Sequence, residues 1–364
     1  MKQHVLPYHY YVQDDLVNFW KKLGTENRNV LFIFGLGFDP RCVPALRNIA
    51  IIFKKGAKVK TCCARFTNLF DEQLDENRKN TQDCLSSIRY ITDSMSNANF
   101  QHTEIEVNMF SLDRKLIGEK LLIDEFEECY ANDLSSFTDI IVDISTFPRS
   151  LMYALIGYLW KKREENQNLF AVLTEVPSTT IIEESDYTTP SYIFEDVKSS
   201  ENKHVIWIPV LGGRIERFEH IHNFLNPADI FPIIPFSSTN PRAGDEILLA
   251  SKIPLFEKWG VPFSNVMYAS GDVPFDVFRK ILDIVQEQGS LSADISVVVS
   301  ALSGRSLSLG VLLAALRSNL AICHAQPITY NISSQDRDKI KLDCESAVPT
   351  IYWLDGQLYE TSIK

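Results

Sequence analysis

The sequence predicts an α/β fold of two Rossmann-like halves with mostly parallel sheets. Three observations predict it. Short apolar, β-branched runs alternate with helical stretches about ten times along the chain, the pattern of repeated βα units. Most strand runs, such as NVLFIF and DIIVDI, are almost continuously apolar, as parallel strands buried on both faces must be. Several strand-to-helix junctions are short polar loops of Ser, Gly, Pro and one Arg, built for strand ends at a sheet edge.

Taken in order, residues 4–12 predict a short strand or docked arm, and 14–23 a helix that Asp14 or Asp15 would cap. A buried strand at 29–34 leads through GLGFDPR into a helix at 43–55, closed by Gly56. A strand at 57–64, a polar helix within 71–97, a strand at 104–110 and an amphipathic helix at 112–130 follow. The strand 139–144 then feeds a helix at 148–163 whose first turn holds Pro148, and 169–173 is a further strand. Residues 175–202 are polar, with no sustained period, and predict a long connection, either a lid or a crossover. The second half predicts strands at 205–209, 230–235, 265–269, 295–299 and 321–324, with helices at 215–224, 243–259, 274–288 and 307–316. In the tail, Asp355-Gly356 between two apolar runs predicts a C-terminal β-hairpin. The expected domains are therefore 1–175, a connecting segment or lid at 176–202, and 203–364.

Composition bounds the function. The 364 residues are 45% hydrophobic and 23% charged, the balance of a soluble globular protein. A net charge of −11 argues against duplex nucleic acid as a partner, which demands many cationic phosphate contacts. No apolar run is long enough for a membrane span, and the N-terminus carries no signal-peptide pattern. Seven scattered cysteines without a CxxC pair fit a reduced, cytoplasmic setting, and they do not combine with the histidines at zinc-ligand spacing. His204, His220, His222 and His324 read as structural or exposed.

Four loops end apolar strands and open helices: GLGFDPR at 35–41, DISTFPRS at 143–150, FSSTNPR at 236–242 and SALSGRS at 300–306. Each contains one Arg. Strand carboxyl ends are where open parallel sheets bind ligands, and helix starts favour anions. Gly35, Gly37, Asp39, Arg41, Ser145, Arg149, Ser150, Arg242, Ser303, Gly304, Arg305 and Ser306 are the candidate ligand-binding residues, and the four arginines would form a cationic floor. GLGFDPR is not a dinucleotide fingerprint, because Pro40 stands where GxGxxG needs its third Gly, and no Walker pattern occurs. No cofactor follows from the sequence. Asp39 either caps the next helix or binds a ribose hydroxyl or metal. Asp143 is either a polar group satisfied by loop amides or a general base or metal ligand, and Asp39 and Asp143 are the catalytic candidates.

A weak internal repeat joins the halves. Arg149-Ser150-Leu151 and Arg305-Ser306-Leu307 each follow a strand end and a Ser-containing loop, and each opens an apolar helix. Duplication of a Rossmann-like half accounts for this, as does the general taste of βα turns for Ser, Pro and Gly. Under duplication, Arg149 and Arg305 would line one cleft.

The segment SALSGRSLSLGVLLAALRS resembles the last βαβ motif of CARF-type ligand-binding domains of prokaryotic antiviral systems, and the fused pair of halves is similar to their SAVED relatives. The resemblance is carried by about 35 residues around 294–330; Arg305 stands where a Lys is frequent, and no nuclease or other effector domain is evident. It implies a cyclic or linear oligonucleotide, or another nucleotide signal, as ligand, and a sensor passing its state to a protein partner or to its own oligomer. An enzyme acting on a nucleotide by hydrolysis or base transfer, and a scaffold subunit of a defence complex, are the alternatives.

Overall fold

Apolar strands flanked by turn-forming residues set the element order. A computed structural model describes residues 9–12, 15–16, 18–19, 21, 28–53, 56–68, 70, 74–95, 99–176, 183–194, 204–212, 215–237, 240, 242–289 and 295–356. The chain runs β1 (His9–Tyr11), β2 (Asn29–Leu36), α1 (Pro44–Phe53), β3 (Lys58–Thr67), α2 (Leu74–Ser94), β4 (Phe100–Asn108), α3 (Gly118–Tyr130), β5 (Asp139–Asp143), α4 (Arg149–Lys162) and β6 (Asn168–Leu173). It continues with β7 (Glu183–Tyr187), β8 (Ser191–Tyr192), β9 (His204–Val210), α5 (Ile215–Leu225), β10 (Asp229–Ile230), β11 (Ile233–Phe236), α6 (Ala243–Ala250), β12 (Met267–Ser270) and α7 (Pro274–Gly289). The last elements are β13 (Ile295–Ala301), α8 (Arg305–Ser318), β14 (Ala321–His324), β15 (Pro327–Asn331), α9 (Ser334–Ser346) and β16 (Thr350–Asp355).

The protein is α/β with mostly parallel sheets. Two compact units form, the first from residues 1–186 and 327–364, the second from 187–326. The first sheet has the order β1-β16-β6-β5-β2-β3-β4. Its strands β2 to β6 are parallel, β16 is antiparallel to β6, and β1 is antiparallel to β16. Val30, Phe32 and Phe34 of β2 pack with Leu46 and Ile49 of α1 and Leu85 and Ile88 of α2. The second sheet has the order β12-β11-β9-β13-β14-β8, all parallel except β8. Trp207, Ile234 and Val298 pack there with Phe218, Ile221 and Leu255. Helix α8 is buried from Ser306 to Ala315 without a break, which explains its lack of a polar face.

The two sheets share one topology. With the two-residue β10, which pairs parallel to β9, set aside, the first parallel strand (β2 or β9) lies in the middle of each, the next two extend to one side, and the fourth and fifth extend to the other. In each, an antiparallel strand closes the side of the fifth. The strand order thus reverses between the first and fourth of these strands.

Three expectations are corrected. The second half does not run to residue 364: the chain returns at Pro327, because the apolar strand β16 finds a full-length partner in β6, with Ile351 opposite Val172. The segment 176–202 is more than a connection, since β7 pairs with β15 and β8 with β14; strands this short leave no readable period. The helix expected at 243–259 stops at Ala250, and a π-helical turn at Ile253–Lys258 with Pro254 in its first turn follows. In the tail, β16 pairs on both sides, with β6 and β1, while the second arm of the expected hairpin, 357–360, lies outside the described residues. Of the helix expected at 14–23, residues 15, 16, 18, 19 and 21 are described and helical, and the other half lies outside the described residues.

Candidate functional site

In a sheet of this order, the crevice for a ligand opens at the carboxyl ends of the strands that flank the reversal. That is β2 and β5 in the first unit, and β9 and β13 in the second. Three of the four loops singled out in the sequence end these strands, after β2, β5 and β13, whereas FSSTNPR ends β11.

In the first unit the crevice is filled by its own groups. Thr146 Oγ1 donates to the Gly35 carbonyl at 2.8 Å, tying the two loops together. Asp143 is buried, and its Oδ1 accepts from the Ser145 amide at 2.9 Å and from the Ser145 hydroxyl. Ser145 Oγ in turn accepts from the Thr174 amide at 2.8 Å. Phe66 and Phe147 pack edge to face at 5.1 Å between centroids. Asp39 caps a short 3-10 turn at Pro40–Cys42, accepting from the Arg41 amide and from Arg41 Nε, each at 3.0 Å. Burial alone would lower the Arg41 guanidinium, but the Asp39 carboxylate outweighs it and holds the group above its ordinary value. Phe38 and Val176, in the loops after β2 and β6, are covered by Ile332, Ile340 and Cys344 from the returning C-terminal segment. Gly37 is half-buried, and Arg149 and Ser150 open α4 behind Pro148, a residue with no N–H.

The second unit presents a different surface. Its β13 turn is only Leu302, Ser303 and Gly304, two residues shorter than the 144–148 turn. Gly212 follows β9, and a Cβ there would overlap the Leu302 carbonyl oxygen, so this position admits only glycine while the loops keep their approach. Gly304 is the N-cap of α8 and brings no side-chain cap; a Cβ placed on it would meet nothing within 4 Å. Arg305 is the first residue of the helix and half-buried. Ser306, the second, is 2% exposed, and its hydroxyl has no hydrogen-bond partner. Helical side chains tilt toward the N-terminus, so this hydroxyl leans toward the mouth of the turn. Ser303 is also buried, whereas Arg242, at the N-cap of α6, is exposed.

The candidates thus divide. Gly35, Gly37, Asp39, Arg41, Ser145, Arg149 and Ser150 belong to the first unit, and Arg242, Ser303, Gly304, Arg305 and Ser306 to the second. Gly212 was visible only as part of the VLGGR strand end, and Thr146 and Thr174 carried no signal, because their role is set by loops distant in sequence. Among the described residues no group of three His, Cys, Asp or Glu side chains could hold a metal ion, and no helix is long and apolar enough to cross a membrane. His324 accepts from Arg217 Nη2 at its Nδ1, 2.9 Å away, inside the second unit, as its structural reading expected.

No family model matches the chain, and no curated protein matches it. Among solved structures, a tRNA methyltransferase of B. subtilis aligns with 46% of this chain and 60% of its own length, at 10% identity and a TM-score of 0.22. A universal stress protein from Pseudomonas aeruginosa aligns over 89% of this chain and 99% of its own, at 9% identity and TM-score 0.25. A cyclopropane-fatty-acyl-phospholipid synthase-like protein from Lactobacillus casei aligns over 95% and 94%, at 8% identity and TM-score 0.23. At these scores none of the three carries an argument about this chain.

Proposed function

We propose that the protein binds an anionic, nucleotide-type ligand at the β9/β13 crevice of its second unit and acts as a sensor rather than a catalyst. One observation carries the reading: the start of α8 combines an uncapped, glycine-lined turn with the buried, unpartnered hydroxyl of Ser306. Orphan N–H groups at a helix start and the helix dipole favour a phosphate. A buried hydroxyl without a partner costs free energy that a ligand oxygen would recover. Arg305 beside it adds a cation to a chain of net charge −11.

The resemblance of 294–330 to CARF and SAVED domains narrows the ligand to a cyclic or linear oligonucleotide signal, in a regulatory component of an antiviral system. The enzyme alternative rests on Asp39 and Asp143. Their carboxylates already accept from Arg41 and Ser145 inside the first unit, which favours the sensor.

The test is a calorimetric titration of the protein with mononucleotides, linear dinucleotides and cyclic oligonucleotides, followed by mass spectrometry of each mixture. Binding without product, weakened by Arg305→Ala, is the expected result. Turnover lost in Asp143→Asn would support the enzyme, and a panel with no binder would end the nucleotide reading.

A further inference from the structure

The two large sheets have four edges, and natural proteins guard such edges with brevity, charge, proline or a bulge. The edge strands β1 and β8 have three and two residues. Edge strand β4 is long, but Glu104 and Glu106 stand exposed on it. Strand β12, with the sequence MYAS, has no charge and no proline, and Tyr268 is 47% exposed. Among the described residues it pairs, in register, with β11 alone.

Apolar surface gathers beside that edge. Among the described residues of the second unit, the exposed large hydrophobic side chains are Phe224, Phe236, Leu249, Ile253, Phe263 and Tyr268. All but Phe224 lie on β11, β12 or the crossover that joins them, the last pair of parallel strands before the open edge. Phe263 is 75% exposed and stacks on Phe256 at 4.3 Å between centroids, so it is held outward rather than loose.

We propose that this edge is a two-fold interface between copies of the chain, with β12 pairing antiparallel to β12 of the second copy. Two observations select a second copy over a different protein. First, the chain as a whole carries −11, yet residues 236–270 hold three basic residues (Arg242, Lys252, Lys258) and three acidic ones (Asp245, Glu246, Glu257). A neutral, mixed patch is complementary to itself across a two-fold axis, whereas the rest of the surface repels a like chain. Second, the five side chains, 45–75% exposed, offer about 500 Å² when about 150–200 Å² for each is weighted by its exposure. Doubled across a two-fold axis, that reaches the roughly 1,000 Å² that a specific interface needs, before the strand pairing is added. An antiparallel pair about a two-fold axis also satisfies the free backbone groups of both edges at once.

Sedimentation analysis of the full chain tests this over a range of concentrations. The expected result is a dimer of twice 41.5 kDa that dissociates on dilution. Leu249→Glu with Phe263→Glu is expected to give monomers with an unchanged circular dichroism melt. Tyr268→Lys, which adds the charge that guarded edges carry, is expected to do the same and stands in if the double variant misfolds. Tyr90→Glu, at an exposed tyrosine of α2 in the first unit, is expected to remain dimeric. A monomer at every concentration, or a dimer untouched by both interface variants, overturns the proposal.

Discussion

The turns Ile144–Pro148 and Leu302–Gly304 leave the fourth parallel strand of sheets with one topology, and both deliver an Arg-Ser-Leu to a helix start. They differ in what fills the crevice. In the first unit, Thr146 and Ser145 bond to neighbouring loops, Asp143 accepts from Ser145 within its own turn, and Pro148 removes a backbone donor. In the second, Gly304 stands at the position of Pro148, and Ser306 keeps an unspent hydroxyl. On the proposed reading, the first crevice stabilises its own unit and the second takes the ligand.

Substitutions can break this contrast. The largest effect is expected from Gly212→Val, which drives a side chain into the Leu302 carbonyl. Overpacking of this kind costs about 1–3 kcal/mol, with the upper end expected against backbone. Urea unfolding should report it in the second unit, together with loss of ligand binding. Asp143→Ala should cost the first unit about 2 kcal/mol, because a buried amide and hydroxyl of Ser145 lose their acceptor. Ligand affinity should remain as in the wild type, since Asp143 belongs to the self-satisfied crevice. A fall in affinity without a fall in stability would contradict that assignment.

Ser306→Ala sharpens the contrast from the other side. Stability of the ligand-free protein should rise by about 1 kcal/mol, because a buried hydroxyl without a partner is removed. Affinity should fall by about tenfold to a hundredfold, the worth of about 1.5–3 kcal/mol for one hydrogen bond to an anion. The smallest effect concerns pH. Burial holds the His102 imidazole below its ordinary value of 6.5, with Glu104 opposing. The unfolded chain therefore binds a proton more readily than the folded one, so stability should be complete above pH 6.5 and decline as pH falls below it. Thermal melts of His102→Gln should show a shallower decline over that interval than the wild type.

Much of the frame was legible in the sequence. Apolar β-branched runs announced the strands, and the strand-end loops announced the carboxyl edges of the sheets. Strand order was not legible, because it depends on which runs pair. The tail illustrates this: TIYWLD reads as a strand anywhere, and only β6 and β1 reveal that it belongs to the first sheet. The four arginines looked equivalent in sequence. Arg41 is locked by Asp39 two residues away, whereas Arg149 and Arg305 open helices and Arg242 is exposed. Local spacing made the Asp39 cap readable as an alternative. The ties from Thr146 to Gly35 and from Thr174 to Ser145 span loops far apart in the chain and left no trace in any single segment.

The most direct measurement exchanges the two helix starts. The backbone of Gly304 has φ −62°, a value proline adopts, so Gly304→Pro imports the feature of the first unit without strain at φ. Calorimetry with the best-binding nucleotide should give at least a tenfold weaker affinity for Gly304→Pro, about 1.4 kcal/mol or more, at an unchanged melting temperature. Pro148→Gly should bind as the wild type does. Wild-type affinity in Gly304→Pro, or loss of binding in Pro148→Gly, would contradict the placement of the ligand in the second unit.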